Sequence, residues 1–308
     1  LGAAARGNDC PGPTGGRRCS TPPPRPGGKA LGERMLAGAR RLRTGERIVV
    51  PVVYHVIYDT RLSQGPGDEP DDLAHAPAPA LVELQTAVLN RAFGGTRISF
   101  FTAQVDVRSS VPWRTHTDPS QGADEDLVDM MVDLNEGRRD TLHVFLLRDV
   151  AMTAAPAETK KMLEGFRRRT DGVLLPWRFL PFEPTLHPDA PFSFDEGETL
   201  VHLVGHYLGL LHTFEPWPVE GEPRCQVECA EISDRVRDTP AHLRVAGAGL
   251  CEQLDTCPYP GLDPVANYMN TEPDVCSQEF TPGQIERIER MVRAFRPHLI
   301  VGAPAVRP

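Results

Sequence analysis

A chain of 308 residues with 40% hydrophobic and 24% charged residues is ordinary globular material, long enough to bury a sizeable core. Its net charge of −9 and pI near 5.6 exclude nucleic acid and anionic membrane as its main partners. No apolar run approaches the roughly 18 residues that a membrane helix needs. The longest, Ile48 to Ile57, is strand-sized and broken by Pro51 and His55.

Residues 1–44 are rich in Gly, Pro and Arg, with runs such as Pro22-Pro23-Pro24, and lack sustained apolar periodicity. They are expected to form a largely disordered tail, with a short helical piece around Leu31 to Leu42. The character changes at Ile48, where Ile48 to Tyr58 reads as a buried strand. Ala80 to Phe93 places Leu81, Leu84, Val88 and Leu89 on one face, with Gly94 just beyond, and reads as a helix. Arg97 to Val107 is the next strand. Asp124 to Asn135 spaces Leu127, Met130, Met131 and Leu134 as a helix does, with acidic residues in its first turn. Thr141 to Leu147 and Val173 to Leu175 are further strands. This alternation predicts an α/β layer with a mostly parallel sheet. A helix over Thr199 to Leu211 follows, and the last runs over Pro282 to Phe295, where Thr281, Pro282 and Gln284 make a capping-box start. Between these two helices lies an irregular segment rich in Cys, Pro and Gly.

Five of the seven cysteines fall between Cys225 and Cys276, and no C-x-x-C pair is present. The cluster therefore reads as disulfides and an oxidising compartment. The chain starts at Leu1 and shows no signal-peptide apolar region, so secretion is expected with the export signal outside the chain.

The chemistry concentrates in Thr199 to His212. On a helix His202 and His206 leave the same face, and Gly209 can take the left-handed conformation that turns the chain and brings His212 round. Three histidines with an open fourth position suit a zinc ion. Isolated histidines such as His55, His143 and His298 are read as ordinary buried or surface residues.

The pattern resembles the metzincin signature H-E-x-x-H-x-x-G-x-x-H, matched at His202, His206, Gly209 and His212. Metzincins also carry a methionine turn beneath the metal, and Met269 in Asn267-Tyr268-Met269 is the candidate. Asp255-Thr256-Cys257-Pro258, Gly261-Leu262-Asp263-Pro264, Phe280 to Gln284, Asp171-Gly172-Val173 and Asp238-Thr239-Pro240-Ala241 are similar to pappalysin sequences. The resemblance to the pappalysin family of metzincin zinc proteases covers about Ile48 to Phe295. It implies a twisted, mostly parallel sheet with one antiparallel edge strand and helices above a cleft. An upper part, 45–208, carries the zinc helix, and an irregular disulfide-linked lower part, 209–308, ends in a helix. An extended peptide or protein ligand would lie in the cleft.

The resemblance also marks departures. The family's general-base glutamate follows the first histidine, and here that residue is Leu203. A leucine cannot exchange a proton with metal-bound water. The family's tyrosine two residues beyond the methionine is Thr271, and the aspartate after the methionine is Asn270. Glu196 and Glu198 lie upstream on the same helix and read as acidic residues at a helix start. A zinc-binding pseudoprotease is the reading these departures favour. An active endopeptidase with a substituted base and a metal-free interaction scaffold are the alternatives.

By the same resemblance, disulfides join Cys251 with Cys276 and Cys229 with Cys257, Cys225 being the alternative to Cys229. Arg18-Cys19-Ser20-Thr21 is similar to the family's cysteine switch, which makes residues 1–44 pro-segment-like. A local Cys10–Cys19 disulfide is the competing reading. Relatives bind calcium near the stretch corresponding to Glu231 to Thr239, where Asp234, Asp238 and Thr239 would supply oxygens.

Overall fold

The computed structural model describes residues 36, 38–58, 76–109, 125–135, 138, 140–147, 153–154, 170–181, 194, 196–214, 229, 234–243, 251–257 and 261–302. Strand β1 (Arg47–Tyr58) is the hub. It pairs in parallel with β2 (Ile98–Ser109) on one side and with β3 (Leu142–Leu147) on the other. Beyond β3 lies the parallel β5 (Val173–Pro176), and β4 (Thr153–Ala154) closes that edge antiparallel. The expected mostly parallel sheet with an antiparallel edge strand is therefore present. A second antiparallel strand, β6 (Ile300–Val301), pairs with the start of β1. Two residues are too short to show a period of two, so β6 has no sequence signature.

β1 carries Pro51 inside a strand paired on both sides, which proline normally forbids. Its position resolves the conflict. Ile48 donates its N–H toward β2, to the Arg97 carbonyl, and alternation turns the nitrogen three residues on to the other side. On that side the pairing with β3 starts only at Val52. The missing donor has nothing to bond.

Side chains of β1 alternate between two apolar layers. Val50, Val52, Tyr54 and Val56 join the main cluster with Val144, Leu146, Val173 and Leu175. That cluster packs under helix α1 (Pro79–Ala92) and helix α3 (Glu198–Tyr207). Ile57, Phe145, Leu147 and Leu174 face the other way, against Met130, Met131 and Leu134 of helix α2 (Glu125–Asn135). The helix boundaries differ from the sequence expectation by one or two residues, except that α3 stops at Tyr207. Helix α4 (Pro282–Phe295) begins with the expected reciprocal bonds between Thr281 and Gln284. On its buried side, Glu289 accepts from Arg41, the Leu42 N–H and Arg97, so residues just before β1 rest on this last helix. Of the helical piece expected over Leu31 to Leu42, Leu36 and Gly38 are helical and residues 39–42 are not, the other residues lying outside those described.

On the α2 face, His55 and His143 are both buried. His55 Nε2 lies 2.9 Å from His143 Nδ1, and His55 Nδ1 lies 3.2 Å from an Asp106 oxygen. The rings are parallel within 4° with centroids 5.3 Å apart. That separation is what two coplanar imidazoles joined edge to edge require, so this is an in-plane N–H···N bond and not a stack. Ionised Asp106 accepts from the His55 Nδ1–H, one proton lies between His55 Nε2 and His143 Nδ1, and His143 Nε2 is buried without a partner. Burial first, and the His55 charge second, push His143 down to about 3.

The unfolded chain takes up a proton at His143 below about 6.5 whereas the native one does not, so this group costs stability as pH falls from 6.5 toward 3. Replacing His143 by Gln is expected to remove up to about 1.4 kcal/mol per pH unit of acid sensitivity in that window. Paired urea titrations from neutral pH to mildly acidic pH check it. Identical pH slopes for the two proteins would defeat the assignment.

Candidate metal centre

Helix α3 is built to be held at both ends. At its start Gly197 takes φ +88°, and a Cβ there would meet the Gln85 amide at 2.9 Å. The same amide donates to the Gly197 carbonyl. No side chain caps the helix, but a carboxylate remote in sequence braces its start. Asp274 accepts from the Glu196 N–H at 3.3 Å and the Thr199 hydroxyl at 3.1 Å. Burial, reinforced by Asp274, pushes Glu198 up to about 7, and Arg91 on α1 donates to it.

At the other end the Leu210 N–H bonds to Gly205 O and the Gly209 N–H to His206 O, both at 2.9 Å. This is the Schellman pattern, with Gly209 at φ +105° as the left-handed residue. The side chain of Met291 occupies the place a Cβ at 209 would need, with atoms at 2.5–2.8 Å. Glycine is required there on both counts.

The turn delivers His212 to His202 and His206. His206 Nε2 is 3.2 Å from the Nε2 of each of the other two. Nitrogens bound 2.0–2.1 Å from one tetrahedral zinc lie roughly 3.3 Å apart, so the spacing fits that ion. All three histidines are buried. The His202 Nδ1 is 2.6 Å from the Tyr268 carbonyl and the His206 Nδ1 is 2.9 Å from the Leu210 carbonyl. A carbonyl can only accept, so each Nδ1 holds its proton and each Nε2 presents a lone pair to a metal. Phe214 stacks on His212 at 4.9 Å. Among the described residues this is the one group of three or more potential ligands within 4.8 Å, and no Asp or Glu oxygen belongs to it.

Met269 lies beneath the helix. It is fully buried, and a Cβ at Gly205 would collide with its Sδ. Its carbonyl accepts from the Thr213 N–H, one residue beyond His212. The turn is anchored to α4 by two reciprocal amide bonds, each 2.9 Å, between Asn267 and Gln284. Asn270 accepts from the Thr271 N–H at 2.8 Å and donates to the Pro264 carbonyl, so it serves the turn itself. Leu203 is fully buried within the main apolar cluster.

Two disulfides brace this lower part, Cys229–Cys257 and Cys251–Cys276, and the second ends two residues beyond Asp274. Cys10, Cys19 and Cys225 lie outside the described residues. Asp234, Asp238 and Thr239 are brought together. Asp234 accepts from the Val236 N–H and the Thr239 hydroxyl, while Asp238 accepts from the Thr281 hydroxyl and the Gly283 N–H at the start of α4. Burial pushes Asp234 up to about 7.

Sequence reasoning misses the supports of the site. Asp274, Arg287 and Arg296 act across 75 to 89 residues, and the orienting carbonyls of Tyr268 and Leu210 carry no side-chain signal.

Comparison with known proteins agrees with this geometry. The family model described as pregnancy-associated plasma protein-A matches residues 183–293. An extracellular metalloprotease of Verticillium alfalfae is 32% identical over 223 residues, covering 70% of this chain and 69% of that protein. One from Arthroderma benhamiae is 28% identical over 257 residues, covering 82% and 75%. Among solved structures, a promirolysin mutant of Tannerella forsythia aligns with TM-score 0.61 at 20% identity, covering 89% of this chain and 92% of that one. Mature mirolysin in complex with a cleaved peptide aligns with TM-score 0.55 at 22% identity, covering 82% and 97%. The structures share the fold, the relatives and the family model share the sequence, and the chain belongs to the pappalysin family of metzincin-type metalloproteases.

Proposed function

We propose that this chain is a secreted, zinc-binding pseudoprotease that holds an extended peptide segment in its cleft without cleaving it efficiently. One observation carries the reading: three histidine nitrogens stand at zinc spacing while the general-base position is Leu203, fully buried and apolar. A zinc ion in this family supplies Lewis acidity and a water of lowered pKa. His202, His206 and His212 would hold it, and what is lacking is a group to take the water's proton. Glu198 does not fill that role. Its carboxylate is engaged by Arg91 on α1, a full turn before His202, and no carboxylate oxygen joins the ligand group among the described residues. That weighs against an active endopeptidase with a substituted base. The two oriented Nδ1–H groups weigh against a metal-free scaffold, since a scaffold has no use for aimed lone pairs.

Within this reading, residues 45–208 form the upper part of the cleft and residues 209–308 the lower part, with residues 1–44 as a pro-segment-like tail. Secretion is supported by two disulfides and by relatives named extracellular. Calcium is the less supported ion, because the oxygens of Asp234 and Asp238 already accept from the loop and from α4.

The test is direct. The purified chain is expected to carry about one zinc through its three histidines and to show no chelator-sensitive cleavage of an unfolded protein. Free zinc at 100 times its Kd should stabilise the fold by about 2.7 kcal/mol over the chelated form. Chelator-sensitive cleavage by the unaltered chain would sink the pseudoprotease reading, and a melting temperature indifferent to zinc would sink the metal site.

A further inference from the structure

We infer that Arg287, a buried residue of α4 remote from the metal centre in sequence, is the positioning residue of the histidine triad. The inference rests on the reading above that the triad holds zinc. Arg287 Nε donates to the Gly209 carbonyl at 3.0 Å, across 78 residues of sequence.

That carbonyl belongs to the peptide unit joining Gly209 to Leu210. The N–H of the same unit is already held by Gly205 O in the Schellman turn. Arg287 therefore grips the one peptide of the turn from the side that the helix leaves free. The next carbonyl along, Leu210 O, is the acceptor that orients the His206 ring. Two residues further is His212, whose Nε2 must meet that of His206 at 3.2 Å. A peptide plane that rotates at 209–210 would thus carry off the partner of one ligand and the backbone leading to another. Gly209, at φ +105°, has no side chain of its own to resist that rotation. Met291, one turn beyond Arg287 on α4, packs against the same glycine.

A simpler role would be neutralising the carbonyl end of the zinc helix, as cations commonly do. Arg296 already fills it, donating to the carbonyl of Tyr207, the last helical residue, at 3.0 Å. Gly209 lies beyond the helix, and its carbonyl is part of the turn to His212. The charge of Arg287 is balanced in part by Asp234, whose carboxyl feels the guanidinium. Arg287 thereby also links the 234–239 loop to the metal turn.

The experiment measures zinc affinity by chelator competition, and the visible spectrum of the cobalt-substituted full chain, for Arg287→Ala, Arg287→Lys and Val292→Ala. Arg287→Ala is expected to weaken zinc binding by about 10–100-fold, as removal of an outer partner does, and to alter the cobalt ligand-field bands. Arg287→Lys keeps a donor for Gly209 and should lose less. If the alanine variant does not fold, the lysine variant carries the comparison, its affinity falling between that of the unaltered chain and that of a ligand deletion. Val292→Ala truncates the core on the same helix and leaves the Arg287 to Gly209 bond in place, so it should lower the melting temperature and leave affinity and spectrum alone. Arg287 variants that melt early but bind zinc and cobalt as the unaltered chain does would overturn the inference alone. An unaltered chain that takes up no zinc would overturn the function proposed above and this inference with it.

Discussion

Leu203→Glu is expected to convert the chain into a chelator-sensitive endopeptidase, with a gain of about 10²–10⁴ in rate over the unaltered protein. The argument is one of subtraction. The three nitrogens, the two oriented Nδ1–H groups, the turn glycine and the buried Met269 are all in place. On the function proposed above, the step that is missing is the movement of a proton from water to the leaving amine. The substitution also has a structural cost, because Leu203 has no exposed surface and a carboxylate there is desolvated. A nearby divalent cation offsets that cost. The variant should therefore be less stable than the unaltered chain without metal and recover much of the difference when zinc is added. Rates on a quenched unfolded substrate, with melts on both metal states, separate the two effects. A folded, zinc-loaded variant with no gain would move the defect to Thr271, whose side chain is shorter than the tyrosine the family places there. Leu203→Glu/Thr271→Tyr is the variant that then decides.

Arg296→Ala is expected to destabilise the fold by about 3–5 kcal/mol, because it strands a buried carboxylate. Arg296 and Asp171 are both buried, and the guanidinium grips the carboxylate with two parallel bonds of 2.6 and 2.9 Å. The guanidinium also lies 3.5 Å over the Tyr207 ring and donates to the Tyr207 carbonyl. Asp171 in turn is tied to α2, through the Asn135 amide on its backbone carbonyl. One side chain thus joins the last helix, the zinc helix and the strand β5 region. For a domain of this size the loss corresponds to a fall of about 10 °C in Tm. Removing both partners, as Arg296→Met/Asp171→Leu, should recover part of it, since the stranded charge is gone. A single variant that melts within a degree or two of the unaltered chain would mean that water replaces the guanidinium.

What the sequence discloses divides along physical lines. Local signals were readable: the period of α1 and α2, the Thr281–Gln284 capping box, the turn at Gly209 and the i, i+4 pair of His202 and His206. Each depends on residues within a few positions of one another, where geometry follows from the chain itself. The Met269 turn and the two disulfides became readable only through family resemblance, because cysteine spacing does not choose a pairing. The rest depends on contacts made after the chain has folded. Asp274 carries no local signal, yet it braces the start of a helix 75 residues away. Arg287 reads as one more arginine on an amphipathic helix. His55 and His143 read as unrelated core histidines, and only the registered neighbours β1 and β3 bring their rings into one plane.

The pairing of β6 with β1 has a mechanical consequence. Arg47 and Val301 are directly opposite each other in the sheet, so the first and last strands among the described residues meet at one place. A unit so arranged can be inserted into a loop of another protein, or have its ends joined and new ones opened elsewhere, with little change to its core. The same arrangement governs its response to tension. Tension applied at Arg47 and Val301 themselves would peel the two-residue β6 from β1, because in an antiparallel pair those two positions lie at the same end.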